Sequence, residues 1–245
     1  MKSKEAKEST IEQKGAPVEE RKEEQKLAEA PIKTTEIKYE YRRQKVPMLL
    51  GIFPTKGSDG ALKEFISSGL KVLADHFKTD ESLKNFAQDI TKGISKLKFV
   101  EEPVVMAYHV GEDKDRAKSE YVKNFSNDKK VDLELAALIV IPDKIVIALC
   151  NPDYTPVKVY EGYPHMTLMK GDSNLKLSAA ILNKIFAKGQ SLNALYHSKD
   201  LFTQAKLVEK IVIELIENSE TVYIVKGEKN RTVSAETGSR NRMPN

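Results

Sequence analysis

A chain of 245 residues can form one large domain or two small ones, and 40% hydrophobic residues are sufficient for a buried core. The formal net charge of +4 is small beside 31% charged residues, and it does not by itself indicate a nucleic-acid-binding surface. The single cysteine, Cys150, excludes a framework of internal disulfides. No segment reaches the roughly 18 apolar residues of a membrane span, so we expect an intracellular protein of the cytoplasm or nucleus.

Both ends of the chain are charged and poor in aromatic residues. Residues 1–45 contain 12 Lys and Arg against 10 Asp and Glu, with Tyr39 and Tyr41 as their only aromatic residues. Residues 226–245 contain five basic and two acidic residues and show no apolar periodicity. Because such segments bury too little apolar surface to offset the loss of chain entropy, we predict two disordered tails around a folded domain at 46–225.

The first half of this domain predicts two helices between two strands. An apolar run at 46–53 ends at Pro54, which is typical of a buried strand. Apolar residues at helical spacing then predict an amphipathic helix over 60–77 and a second helical segment over 83–97. A further apolar stretch at 99–110 predicts a strand that ends near His109, and the polar segment 111–130 predicts a loop.

The second half begins with a predicted β-hairpin at 133–150, in which Pro142-Asp143-Lys144 forms the turn. A strand at 164–169, helices at 177–188 and 200–218, and a last strand at 221–225 follow. Helices and strands therefore alternate around a central hairpin. This order favours a mixed sheet in an α+β fold over a doubly wound parallel sheet.

Two of the four histidines have similar surroundings. His109 follows the apolar segment Val-Val-Met-Ala-Tyr, and His165 begins His-Met-Thr-Leu-Met after a proline. Because side chains alternate along a strand, His165 and Thr167 are expected on one face. An imidazole that titrates near neutral pH can transfer a proton, and a neighbouring hydroxyl can hold a phosphate oxygen.

These residues resemble the motifs of the two-histidine (2H) phosphoesterases, in which His-x-Thr or His-x-Ser lies on a central strand of each of two lobes. Residues 163–168, Tyr-Pro-His-Met-Thr-Leu, look like a complete second motif, and Tyr-His-Val-Gly at 108–111 occupies the place of the first. The order of elements over 46–225 is similar as well. The hairpin before the second motif is most like the branch that contains the phosphodiesterase domain of tRNA ligases and the cyclic nucleotide phosphodiesterases.

The resemblance implies a bilobal α+β fold with mixed or antiparallel sheets inside and helices outside. It also implies hydrolysis of a 2′,3′-cyclic phosphate at an RNA end or in a cyclic (oligo)nucleotide, without a metal or other cofactor. His109 and His165 would act as acid and base in an order that the sequence does not assign, and Thr167 would hold the phosphate. Tyr108 and Tyr163 could stack on a base, although packing in the core or at its rim explains them equally well.

Gly111 departs from the family pattern, because it stands where a Thr or Ser would supply the second hydroxyl. The loss of one hydrogen bond to a charged phosphate is worth about 1–3 kcal/mol, which corresponds to a rate roughly 10- to 100-fold lower. The backbone N–H of Gly111 or a bound water could take the place of the hydroxyl. A second hypothesis is therefore a binding module of the same fold without catalysis, and a third is a scaffold that neither binds RNA nor hydrolyses it.

The remaining candidate residues have structural explanations. His76 lies near the end of the first predicted helix, where an imidazolium favours the helix dipole, and His197 is interpreted as a surface residue. Ser178 and Ser191 show no nucleophile context, and Cys150 is predicted to be a buried thiol. The sequence shows neither the spacing of a metal site nor a phosphate-binding loop, and the oligomeric state is left open.

Overall fold

The computed structural model describes residues 47–155, 157–159, 162–172, 176–186, 208–215, 218–227 and 231–241. The chain divides into two units, Met1–Arg43 and Gln44–Asn245, and the described residues belong to the second. Its helices and strands are β1 (Leu49–Pro54), α1 (Asp59–His76), α2 (Glu81–Lys92), β2 (Lys98–Phe99), β3 (Val105–His109), α3 (Lys114–Ala117), α4 (Glu120–Asn124), β4 (Lys130–Ile141), β5 (Ile145–Cys150), β6 (His165–Lys170), α5 (Lys176–Phe186), β7 (Val208–Leu215), β8 (Asn218–Lys226) and β9 (Thr232–Arg240).

The strands form an antiparallel sheet with the order β2-β6-β5-β4-β9-β1-β3, and β8 and β7 branch from β4. Strand β4 is long enough to join two groups of strands. Its first half pairs with β9, and its second half pairs with β8, on either side of an irregularity between Leu135 and Ala137. The predicted α+β class is therefore confirmed, and β4 is the element that links the two parts of the sheet.

Helices cover both faces of this sheet. On one face, called here the α1–α2 face, apolar residues of α1 and α2 pack against alternate residues of β4, β5 and β6. On the other, called the α5 face, the apolar side of α5 packs against Ile139, Ile147 and Leu149. Burial of both faces explains why the second half of β4 and all of β5 are continuously apolar, whereas the first half of β4 alternates.

The first two helices follow the predicted periodicity, with one difference in length. Helix α1 buries its predicted apolar stripe. Asp80 caps the start of α2, since its side chain accepts a hydrogen bond from the backbone N–H of Leu83. Helix α2 ends at Lys92 rather than near 97, because Gly93 adopts a left-handed conformation with φ of 70° and closes the last turn. Ile94 is consequently outside the helix and 68% exposed.

The segment 208–215 is a strand, so the helix predicted over 200–218 is wrong there, and residues 200–207 lie outside the described residues. Its apolar positions, among them Val208, Ile211 and Val212, fit a helical stripe. All four apolar residues at 208–213 are nevertheless β-branched, and such side chains favour a strand. Pairing of β7 with β8 decides the outcome.

The prediction of a disordered tail over 226–245 is also wrong, because Thr232–Arg240 forms strand β9 in the middle of the sheet. Strand β9 pairs with β4 on one side and with β1 on the other. Its buried side chains are those of Val233, Ala235 and Thr237, and exposed polar residues alternate with them from Thr232 to Glu236. The signal was weak because the buried side chains are small and one of them is polar.

The predicted loop over 111–130 contains two short helices. Asp113 caps α3 and Ser119 caps α4, each by accepting a backbone hydrogen bond. Residues of these helices cover a small cluster formed by Leu50, Tyr108 and Val110. The end of β3 is thereby held in place immediately after His109.

Candidate active site

Strand β6 places His165 and Thr167 on the α5 face of the sheet. His165 pairs with Leu149 of β5 and Thr167 pairs with Ile147, and both partners belong to the cluster under α5. Paired residues of antiparallel strands share a face. Met166 lies on the opposite, α1–α2 face, so the alternation expected from the sequence is observed here.

Both nitrogens of the half-buried His165 ring are hydrogen bonded. Nδ1 lies 2.6 Å from the backbone carbonyl oxygen of Tyr163, and because a carbonyl can only accept, Nδ1 carries the proton. Nε2 lies 3.1 Å from Oγ of Ser178, which is buried in the first turn of α5. In the neutral ring, Nε2 therefore accepts from the Ser178 hydroxyl.

Burial keeps His165 in this neutral form. Loss of water around the ring lowers the pKa of His165, and the hydrogen bond to Tyr163 opposes that change more weakly. A neutral imidazole with its proton fixed on Nδ1 has a lone pair on Nε2. The ring is thus oriented as a proton acceptor.

The side chain of Thr167 is 8% exposed, yet its hydroxyl makes no hydrogen bond to any described residue. Buried hydroxyls normally have a partner, because an unpaired one loses its hydrogen bonds to water without replacement. Thr167 is two residues from His165 on the same face. A ligand oxygen at this position would satisfy the hydroxyl.

His109 is the last residue of β3 and is half-buried. His109 pairs with Leu49 of β1, and Leu49 pairs with Arg240 of β9. Alternate residues of β9, from Arg240 to Thr232, lie on the same face, and Thr232 pairs with Glu134 of β4. Glu134 directly precedes Leu135, whose side chain packs on the α1–α2 face, so the side chain of Glu134 points to the other face. His109 is therefore on the same face of the sheet as His165.

Strand β3 also contacts β6, although the two strands are at separate positions in the hydrogen-bonded order. Within the described ranges, neither ring nitrogen of His109 has a hydrogen-bond partner. The two histidines thus differ, because the His165 ring is fixed at both nitrogens whereas the nitrogens of the His109 ring have no partner among the described residues.

Gly111 does not continue the strand and does not offer its N–H to a ligand. Its φ is 60°, in the left-handed region that favours glycine, and its N–H donates to the carbonyl of Met48. A Cβ at this position would lie 3.1 Å from Cε1 of His109. The His109 ring thus lies over Gly111, and the suggested replacement of a missing hydroxyl by the Gly111 N–H is wrong.

The two tyrosines beside the histidines have different surroundings. Tyr108 points away from His109, is 6% exposed, and packs with its ring centroid 5.0 Å from that of Tyr121, so the alternative of packing in the core describes its surroundings. Tyr163 is half-buried, with its ring 4.3 Å from that of Phe186 in α5. Tyr163 contributes to the site through its backbone carbonyl, which accepts the hydrogen bond that orients His165.

Two residues contact the histidines although the sequence did not predict these contacts. Ser178, which has no nucleophile context in the sequence, bonds to Nε2 of His165, and Arg116 of α3 donates from its guanidinium to the backbone carbonyl of His109 at 2.9 Å. Neither residue lies in a recognisable motif. Ser178 could have been suspected only from its place in the first turn of the helix that follows the His165 strand.

The other histidines and the cysteine do not join this site in the described structure. His76 is exposed at the end of α1, with its ring 4.9 Å from that of Phe77, and His197 lies outside the described residues. Cys150 is buried, and burial raises the pKa of its thiol to about 12, so the thiolate is strongly disfavoured.

Among the residues that the structure describes, no group of three or more His, Cys, Asp or Glu side chains is placed to hold a metal ion. In the same part of the chain, no helix is both long enough and apolar enough to cross a membrane.

No protein-family model matches the chain, and no curated protein matches it. Among solved structures, the chain is similar to one described as the crystal structure of a fungal RNA kinase, with a TM-score of 0.46 and 12% sequence identity. The similarity covers 80% of this chain and 46% of that chain. This chain thus spans less than half the length of the RNA kinase structure.

Proposed function

We propose that this chain is a phosphodiesterase of the 2H type, which hydrolyses a 2′,3′-cyclic phosphate at an RNA end or in a cyclic (oligo)nucleotide. The observation that carries this proposal is an oriented, neutral imidazole at His165 beside the buried hydroxyl of Thr167, which has no hydrogen-bond partner among the described residues, on one face of β6. The position of His109 on the same face, on a strand that contacts β6, supports it.

The geometry favours His165 as the general base. Its Nε2 would take a proton from the attacking water as the water oxygen bonds to phosphorus, and Thr167 would donate a hydrogen bond to a phosphate oxygen. The ribose oxygen then leaves as its bond to phosphorus breaks, and it would receive a proton from His109. Because Ser178 occupies Nε2 in the resting protein, this hydroxyl must rotate away when the water binds.

The test is hydrolysis of a 2′,3′-cyclic mononucleotide by the wild type, His165→Ala and His109→Ala. Loss of a general acid or base should lower kcat about 100- to 10,000-fold. His76→Ala is the matched control, because it removes an exposed histidine that lies outside the site. Wild-type rates from His165→Ala and His109→Ala would contradict the assignment.

A binding module without catalysis is the second candidate, and Gly111 favours it. This residue supplies neither a hydroxyl nor a free N–H, and its left-handed backbone takes it out of the strand. Such a module would bind an RNA with a cyclic-phosphate end without turning it over. RNA binding and hydrolysis measured on the same preparation separate the two candidates, and a scaffold would show neither.

A further inference from the structure

A groove of about 700 Å³ runs between α1 and α2, away from the two histidines. Its floor is apolar and includes Leu70 and Ala87, which are buried. Both helices pack on the α1–α2 face of the sheet, whereas His165 and Thr167 lie on the α5 face. The groove is therefore separate from the proposed active site.

The walls of the groove are strongly basic. Four exposed lysines line it, Lys71 and Lys78 on or just after α1 and Lys84 and Lys92 on α2, against a single carboxylate, Asp75. Lys84 forms an exposed ion pair with Glu81 at 3.9 Å, but the other three lysines form no ion pair with any described residue. These three lysines are therefore not neutralised by an ion pair within the described residues, and an anionic partner could bind them.

An exposed aromatic ring contacts a lysine of α1. Phe99 in the edge strand β2 is 46% exposed, and Nζ of Lys63 lies 5.5 Å from its ring centroid. Lys63 is one helical turn before Ser67, which lines the groove. Most exposed aromatic rings are single surface residues, but this ring contacts a lysine that lies on the same side of α1 as Ser67.

We propose that the groove binds single-stranded RNA, with its phosphates at the four lysines and one base stacked on Phe99. Lysines on both walls can follow a sugar-phosphate backbone, and Lys71 and Lys78 are about 10 Å apart along the helix direction. An acidic peptide would satisfy the lysines equally well. It would not use the exposed ring with a cation beside it, and this combination is the usual way in which proteins hold unpaired bases.

The experiment measures binding of a fluorescently labelled 12-nucleotide oligouridylate by anisotropy at several salt concentrations. If four phosphates are neutralised, the logarithm of the affinity should fall with the logarithm of salt with a slope of about −3. Lys71→Gln and Lys92→Gln should each reduce this slope by about 0.7. Phe99→Ala should weaken binding about 5- to 150-fold while the slope stays unchanged.

Lys184→Gln is the matched control, because Lys184 is an exposed helical lysine of α5 on the opposite face of the sheet. It should bind oligouridylate as the wild type does. The inference is overturned if oligouridylate does not bind, if Lys184→Gln changes the slope as much as the groove variants do, or if an oligoglutamate peptide binds in place of RNA.

This inference and the proposed function fail separately. Groove variants should hydrolyse a 2′,3′-cyclic mononucleotide at the wild-type rate, since that substrate is too small to need the groove. His165→Ala should bind oligouridylate with wild-type affinity. A protein that binds the oligonucleotide but never hydrolyses the mononucleotide would remove the proposed enzyme and leave the groove in place.

Discussion

Removal of the Thr167 hydroxyl should raise the stability of the protein and lower its activity. Thr167→Val replaces the hydroxyl with a methyl group of similar size and keeps a β-branched residue in the middle of β6. A buried hydroxyl without a partner costs about 1–3 kcal/mol. Because Thr167 retains 8% exposure, we expect the lower end, a gain of about 1 kcal/mol in the free energy of unfolding. The corresponding rise in Tm is about 2–4 °C.

Activity should fall in the same variant, because the hydroxyl is proposed to bind a phosphate oxygen. A hydrogen bond to a charged group is worth about 1.5–3 kcal/mol, so kcat/KM for a 2′,3′-cyclic mononucleotide should decrease about 10- to 150-fold. Stability is measured by thermal and urea unfolding, and activity by initial rates at concentrations of substrate well below KM.

Thr167→Ser is the matched control, since it keeps the hydroxyl and removes only the methyl group. It should lose about 0.8 kcal/mol of stability and retain kcat/KM within a few-fold. If Thr167→Val were destabilised by more than about 1 kcal/mol, the hydroxyl would have a partner in the folded protein. If it kept the wild-type kcat/KM, the hydroxyl would not contact the phosphate, and in either case the reasoning fails.

Three further substitutions test the geometry. His165→Gln should remove a pH dependence of stability. The pKa of His165 is lowered in the folded protein, so the unfolded chain binds this proton first as the pH falls. The wild-type free energy of unfolding should therefore decrease below about pH 6.5 by up to about 1.4 kcal/mol per pH unit, as urea titrations would show. Gly111→Ala should cost about 1–2 kcal/mol in thermal unfolding, because an L-residue is strained at its φ of 60°. Tyr223→Phe should raise the pKa of Asp80 towards its ordinary value in an NMR titration, because the hydrogen bond from Tyr223 is the main cause of its lowering.

Elements with large apolar residues at a clear spacing could be predicted from the sequence. The hairpin of β4 and β5 is an example, because two β-branched runs enclose a turn in which Asp143 adopts a left-handed conformation with φ of 60°. Helix α1 is a second example, because the helical spacing of its apolar residues is enough to predict which side of the helix faces the sheet. In both cases the local pattern and the tertiary packing require the same structure.

Strands β7 and β9 could not be predicted, because their structure depends on partners distant in the chain. Strand β9 pairs with residues more than 90 positions away, and it buries only small side chains such as Val233 and Ala235. Strand β7 has a pattern that fits a helix as well as a strand, and its pairing with β8 decides between them. Local spacing carries no information about such partners.

The candidate site was predictable to the extent that it depends on strand alternation. The common face of His165 and Thr167 follows from their spacing, as the register of β6 shows. The hydrogen bonds of His165 to Tyr163 and Ser178 do not follow from spacing, because they depend on where α5 crosses the sheet. The conformation of Gly111 is equally hidden, since glycine is compatible with every backbone region.

The common face of the two histidines depends on the last strand of the chain. His109 belongs to the pair β1–β3, and His165 belongs to the strands β4–β6. In the described structure, β9 is the strand that joins these groups, because it pairs with β1 on one side and with β4 on the other. A one-residue shift in the pairing of β9 with β1 would move His109 to the opposite face relative to His165. A segment that the sequence predicted to be a disordered tail therefore sets the relation between the two proposed catalytic residues.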